Sequence, residues 1–151
     1  MTAAIVDDPR NEHAPAWWFL DLLVIEHRCA PGMQTVVLEM TLPVGSSAPL
    51  HVHDSLDDTW YVLDGEMVVR CGDETRVVGA GHWVSMPRGV PHTFRVVGDR
   101  PARILLVHDN ATFRDLIREL RDLLTKIGFV LSVPGSTVGV SIRIIELRTH
   151  S

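Results

Sequence analysis

Gly45-Ser46-Ser47-Ala48-Pro49-Leu50-His51-Val52-His53-Asp54-Ser55-Leu56-Asp57-Asp58-Thr59-Trp60-Tyr61-Val62-Leu63-Asp64-Gly65, followed by Gly81-His82-Trp83-Val84-Ser85-Met86-Pro87-Arg88-Gly89-Val90-Pro91-His92, gathers three histidines and a carboxylate into two short stretches that open on glycine. Side chains alternate along a strand, so His51 and His53, two apart, share a face and can bind one ion. Asp58 begins the run Thr59–Leu63, whose aromatic and branched residues fit a pleated surface, and the run stops at Asp64-Gly65, a hairpin signal. The carboxylate is thus expected at the start of the strand next to the histidine pair. His92 follows the turn Pro87–Pro91 and leads into another strand-like run, Thr93–Val97, from which it can reach the same site across a barrel. Three imidazoles with one carboxylate suit Fe, Ni, Mn, Cu or Zn as a single divalent ion, with coordination positions left for water or substrate.

These residues resemble the cupins. The first cupin motif, G-x5-H-x-H-x3-4-E-x6-G, is met by Gly45, His51, His53 and Gly65, and the second, G-x5-P-x-G-x2-H-x3-N, by Gly81, Pro87, Gly89 and His92. Two positions depart from it: Asp58 stands for the glutamate and Val96 for the asparagine. Asp57 and Asp58 both satisfy the spacing after His53, and the six-residue step to Gly65 selects Asp58. Aspartate is one methylene shorter, so two arrangements are open: a site of His51, His53, His92 and Asp58, or a three-histidine site with Asp58 behind it. Val96 reads as a packing change.

A narrower likeness, carried by Trp17-Trp18-Phe19-Leu20, Leu38–Pro43, Pro49–His53, Tyr61–Leu63 and Pro87–Phe94, is to the single-cupin proteins grouped with quercetin 2,3-dioxygenases. It implies a metal-dependent dioxygenase acting on a flavonol-like or other phenolic or enolic small molecule, with Asp58 as ligand and catalytic base. It also implies homodimerisation. A small-molecule-binding cupin with a degenerate or structural metal site, and a non-redox isomerase or lyase, are the alternatives. Alternation from Asp58 carries Trp60 and Val62 inward and alternation from His92 carries Phe94 inward, with Leu38 and Met40 facing them. Such residues are core first; around a hollow they become the wall of a substrate pocket. His108 ends the last barrel strand, where it can line that pocket, although a lone histidine there is more often an ordinary packed or exposed residue.

The resemblance implies an all-β fold, the cupin double-stranded β-helix or jelly-roll barrel, and the turn signals agree with it. Apolar runs at 22–25, 33–42, 60–63, 67–70, 76–78, 83–86, 92–97 and 103–108 alternate with Pro31-Gly32, Pro43–Gly45, Asp64-Gly65, Gly72-Asp73, Gly79–Gly81, Arg88-Gly89 and Gly98-Asp99, the mark of a sandwich or barrel. The barrel with an N-terminal extension occupies 1–110. In 111–151 the pattern changes: Thr112 can cap a helix in which Phe113, Leu116, Ile117, Leu120, Leu123, Leu124 and Ile127 recur at helical spacing until Gly128. Beyond this C-terminal amphipathic helix, 129–133 and 138–147 are strand-like, and the second can add an edge strand here or in a partner.

Composition sets the remaining bounds. The chain has 151 residues, 46% hydrophobic and 22% charged, ordinary for one globular domain. Its net charge is −5, and every basic residue except Lys126 is an arginine scattered without a run, which argues against nucleic acid as a partner. The acidic start Met1–Arg10 lacks the apolar segment of a signal peptide, and no stretch is long enough to span a membrane. Cys29 and Cys71 are too few for a disulfide framework, so free thiols in the cytoplasm are expected.

Overall fold

The computed structural model describes residues 16–19, 22–27, 29–109, 114–115, 118–119, 122 and 142–144. Eleven strands are described: β1 (Ala16–Phe19), β2 (Leu22–His27), β3 (Val36–Leu42), β4 (His51–His53), β5 (Asp58–Asp64), β6 (Glu66–Cys71), β7 (Glu74–Gly79), β8 (Trp83–Met86), β9 (His92–Val97), β10 (Ala102–His108) and β11 (Ile142–Ile144). They form two antiparallel sheets, of order β1-β2-β3-β10-β5-β8 and β11-β4-β9-β6-β7. This is the all-β jelly roll expected.

Alternation places the core between the sheets. In β3, Val36, Leu38, Met40 and Leu42 are buried while the residues between them are less so, and β10 repeats the pattern with Ala102, Ile104, Leu106 and His108. Opposite them, Met67 and Val69 of β6 and Val96 of β9 come from the second sheet. Val96 is 1% exposed inside this cluster, and its backbone joins the loop before β4, accepting from Gly45 N–H at 3.1 Å and donating to the Ser46 carbonyl at 2.9 Å. The valine in the asparagine's place therefore packs, and β9 is tied to the first motif by its backbone and by Thr93, whose hydroxyl donates to the Ala48 carbonyl at 2.6 Å.

Gly65 shows what the hairpin between β5 and β6 demands. Its φ is +78°, and a Cβ there would lie 2.6 Å from both the Ala102 Cα and the Pro101 carbonyl oxygen. The close approach of β10 and the left-handed backbone both require a residue without a side chain.

Three elements lie outside the barrel strands, and only the first is absent from the sequence reading. β1 pairs with β2 as an added edge hairpin, Trp17 opposite Val24. Of the expected C-terminal helix, Arg114, Asp115, Arg118, Glu119 and Asp122 are described and helical, and the rest lies outside the described residues. Arg118 and Arg114 both reach Glu26 of β2, the latter at 3.6 Å. The strand-like run 129–133 also lies outside the described residues. Within 138–147, β11 adds to the edge of the second sheet, pairing Ile142 with His53 and Ile144 with His51.

Candidate metal centre

Each sheet supplies one wall of the site. From the five-stranded sheet, β4 brings His51 and His53, and β9 brings His92 into register opposite His51. From the six-stranded sheet, β5 brings Asp58, and β10, whose Leu106 faces Trp60, brings His108 beside it. The ligand-capable nitrogens of His51, His53 and His92 lie within 4.8 Å of one another. Bonds of about 2.1 Å hold neighbouring donors of a tetrahedral or octahedral ion about 3.0–3.4 Å apart, so closing onto an ion takes a contraction of up to about 1.4–1.8 Å at the widest pair.

The backbone decides which nitrogens face inward. His51 Nδ1 donates to the Pro49 carbonyl at 2.8 Å and His92 Nδ1 to the Val90 carbonyl at 2.9 Å. A carbonyl only accepts, so both rings carry the proton on Nδ1 and turn a bare Nε2 lone pair toward the site. His92 Nε2 is buried without a hydrogen-bond partner, the state of a nitrogen that an ion would satisfy.

Asp58 stands beside this group. Its Oδ2 lies 4.0 Å from His53 Nε2 and 3.8 Å from His92 Nε2, while its Oδ1 accepts the Trp60 indole N–H at 2.7 Å and lies 3.5 Å from His108 Nε2. Asp57, its neighbour, points outward and is clamped by Arg88, whose backbone N–H, Nε and Nη2 contact it at 2.9, 3.1 and 2.9 Å. Only one of the two aspartates therefore shares the interior with the histidines, because β5 alternates.

Burial controls the charge of the cluster. Burial, followed by the neighbouring His51, His92 and His108, drives His53 down to about 3. Burial likewise lowers His51 and His92, and takes His108 to about 4 against the pull of the Asp57 backbone. Burial pushes the Asp58 carboxyl up to about 7 despite the Trp60 hydrogen bond. Neutral imidazoles at neutral pH are the form that binds a metal. The donor set thus fits a divalent transition ion, with His51, His53 and His92 as nitrogen donors.

The residues expected to wall a pocket lie in the core. Leu38, Met40, Trp60 and Val62 are each at most 6% exposed in one cluster, and Phe94 packs against it, edge-on to Trp60 at 5.2 Å between ring centres. A cavity of about 350 Å³ lies at the end of the six-stranded sheet, with Thr35, Asp57, Thr59, Trp83 and His108 among its walls. It shares His108 alone with the expected pocket. His108 itself is 3% exposed. Its place beside Asp58 follows from continuing the β10 and β5 pairing by two residues, a register that spacing within either strand does not contain.

Comparison with known proteins agrees with this architecture. Residues 38–108 match the family model described as a cupin domain. An uncharacterized protein of Methanocaldococcus jannaschii is 30% identical over 74 residues, covering 49% of this chain and 59% of that protein. Quercetin 2,3-dioxygenase of Bacillus subtilis is 32% identical over 56 residues, covering 37% of this chain and 17% of that enzyme. Among solved structures, the polyketide cyclase RemF from Streptomyces resistomycificus superposes with a TM-score of 0.58 at 23% identity, covering 69% of this chain and 79% of that one. KdgF from Halomonas sp. does so with a TM-score of 0.58 at 16% identity, covering 70% and 96%. Both structural likenesses are of fold.

Proposed function

From the match of residues 38–108 to the cupin domain model and the all-β cupin fold around it, we propose that this chain is a metal-dependent dioxygenase acting on a flavonol-like or other phenolic or enolic small molecule. His51, His53 and His92 hold one divalent transition metal ion, and Asp58 presents Oδ2 as the carboxylate donor and as the base for the substrate hydroxyl. The observation that carries this reading is the pair of Nδ1-to-carbonyl bonds that turn the Nε2 atoms of His51 and His92 inward beside His53. The bound ion would supply Lewis acidity and, where redox-active, a route for O2 to an electron-rich ring.

The protein's own residues have separable tasks. The imidazoles, neutral and braced by backbone carbonyls, arrive in the tautomer that binding needs. Asp58, buried at 3% exposure, accepts a hydroxyl proton out of reach of bulk water. Trp60 and Phe94, packed edge to face, back the carboxylate from the core side. The match to quercetin 2,3-dioxygenase supports oxygen chemistry over the segment that it covers.

The test is metal analysis of protein purified without added metal, beside Asp58→Ala, with oxygen uptake measured on a panel of flavonols and simpler phenols. Near-stoichiometric redox-active metal, weakened in the variant, together with uptake on a phenolic substrate, supports the dioxygenase. Bound metal with turnover of a carbonyl substrate and no oxygen uptake replaces it with a Lewis-acid isomerase or lyase. Protein that takes up none of Fe(II), Ni(II), Mn(II) or Zn(II) overturns the enzyme and leaves a ligand-binding module.

A further inference from the structure

We propose that Trp60 is a positioning residue of the metal centre: its indole N–H commits one oxygen of Asp58 to the protein and thereby aims the other at the histidines. The inference rests on the metal reading above, and its test separates the two.

The two oxygens of Asp58 have different surroundings. Oδ1 takes the Trp60 indole N–H at 2.7 Å and has His108 Nε2 at 3.5 Å. Oδ2 faces His53 Nε2 at 4.0 Å and His92 Nε2 at 3.8 Å. The terminal torsion of an aspartate is soft and roughly two-fold, so an unheld carboxylate would spread over many orientations. One strong hydrogen bond to a buried donor selects among them. The residues are two apart on β5, which puts carboxylate and indole on one face without any turn of the chain.

The brace extends behind Trp60. The indole meets Phe94 edge-to-face with ring centres 5.2 Å apart, and Phe94 sits on β9 two residues after His92. The strand that delivers one histidine therefore also fixes the ring that fixes the carboxylate. This gives the short side chain at position 58 a reason: the carboxylate meets the indole N–H beside it, whereas a glutamate would carry its oxygens roughly 1.5 Å farther along. A buried tryptophan needs some acceptor for its N–H in any fold; here the acceptor is the carboxylate that faces the cluster.

The experiment measures Co(II) and Zn(II) affinity of full-length wild type, Trp60→Phe, Asp58→Ala and the double variant, together with the visible spectrum of the Co(II) forms. Trp60→Phe is expected to weaken affinity about 10- to 100-fold, as loss of a partner behind a ligand does, and to change the Co(II) bands. In the Asp58→Ala background the same substitution is expected to change neither. Equal loss in both backgrounds, or no loss in either, overturns the proposal, while failure of the wild type to bind either ion overturns the metal reading instead. Should Trp60→Phe not fold, the indole N–H signals of the four tryptophans provide the second measurement. One of them, assigned by replacing the other three, is expected far downfield in wild type and shifted upfield in Asp58→Ala; an unmoved signal overturns the proposal.

Discussion

Arg88 holds Asp57 through three nitrogens, its backbone N–H at 2.9 Å and its guanidinium Nε and Nη2 at 3.1 and 2.9 Å. This joins the loop before β5 to the turn before β9, so the two motifs that carry the site are fastened from outside. Gly89 N–H adds a bond to the His53 carbonyl at 2.8 Å. The guanidinium and backbone N–H of Arg88 hold the Asp57 carboxyl down at about 2. A depressed carboxyl stabilises the fold above its ordinary 3.8, and that contribution disappears as pH falls through about 2. Arg88→Ala is expected to lower Tm slightly at neutral pH and to weaken metal binding a few-fold, with the Tm difference shrinking in high salt because the pair is exposed. A Tm difference independent of salt would show that the guanidinium contributes packing alone.

Acid titration of metal-free protein sets two groups of residues against each other. His53 and His108, held at about 3 and about 4, support the fold fully above their ordinary 6.5 and lose that support as pH falls through their folded values. Asp58, raised from 3.8 to about 7, acts the other way: its contribution is complete below 3.8 and is lost as pH rises through about 7. Asp58→Asn removes this opposing contribution. Between pH 7 and 4 the variant is expected to lose stability on acidification more steeply than wild type, by up to about 1.4 kcal/mol per pH unit. Denaturant unfolding at several pH values measures both slopes, and equal slopes would mean that Asp58 is ionised throughout that range.

Metal binding to the folded state should appear as thermal stabilisation. At a free ion concentration of about 100 Kd the gain is about 2.7 kcal/mol, which for a chain of this size is a Tm rise of roughly 5–10 °C. Chelator is expected to reverse it. His92→Ala, which removes the Nε2 that is buried without a hydrogen-bond partner, is expected to abolish the rise. A rise that persists in the variant would place the ion elsewhere.

Gly65→Ala tests the hairpin between β5 and β6. The added Cβ meets backbone at 2.6 Å on two atoms, in a conformation of φ +78°. Strain and overpacking together predict a loss of about 2–5 kcal/mol in a denaturant titration. A loss under about 1 kcal/mol would show that β10 can move away at little cost.

The C-terminal strand offers a last prediction. β4 has three residues, two of them site histidines, and β11 covers its outer edge. Removing residues 141–151 opens that edge, and metal affinity is expected to fall while Tm of the metal-free barrel changes less. Unchanged affinity would mean that β9 by itself keeps His51 and His53 in place.

Much of this was legible in one dimension. Strands β3 and β5 to β10 were read from alternation and turn residues to within a few residues of their ends, because a half-buried strand writes its two faces into alternate positions. The histidines were legible because β4 shows two of them at strand period and because glycine and proline bracket both motifs. The edge hairpin with β1 was not, since an outer strand carries little alternation of its own. The indole bond to Asp58 lay within reach of spacing, as residues 58 and 60 share a face, yet nothing in the spacing says that the indole turns back toward the carboxylate.

Local order along the chain determined the class of fold, the strand faces and the three histidines, since a period of two and the backbone limits of glycine and proline act over a few residues. Tertiary structure decided the rest: how near Asp58 comes to His53 and His92, that its other oxygen takes the Trp60 indole N–H, that His108 stands behind it, and that β11 closes the edge of β4. Each of these depends on which strands lie side by side and in what register. Sheet pairing joins residues far apart in the chain, so that information emerges only when the two sheets close on each other.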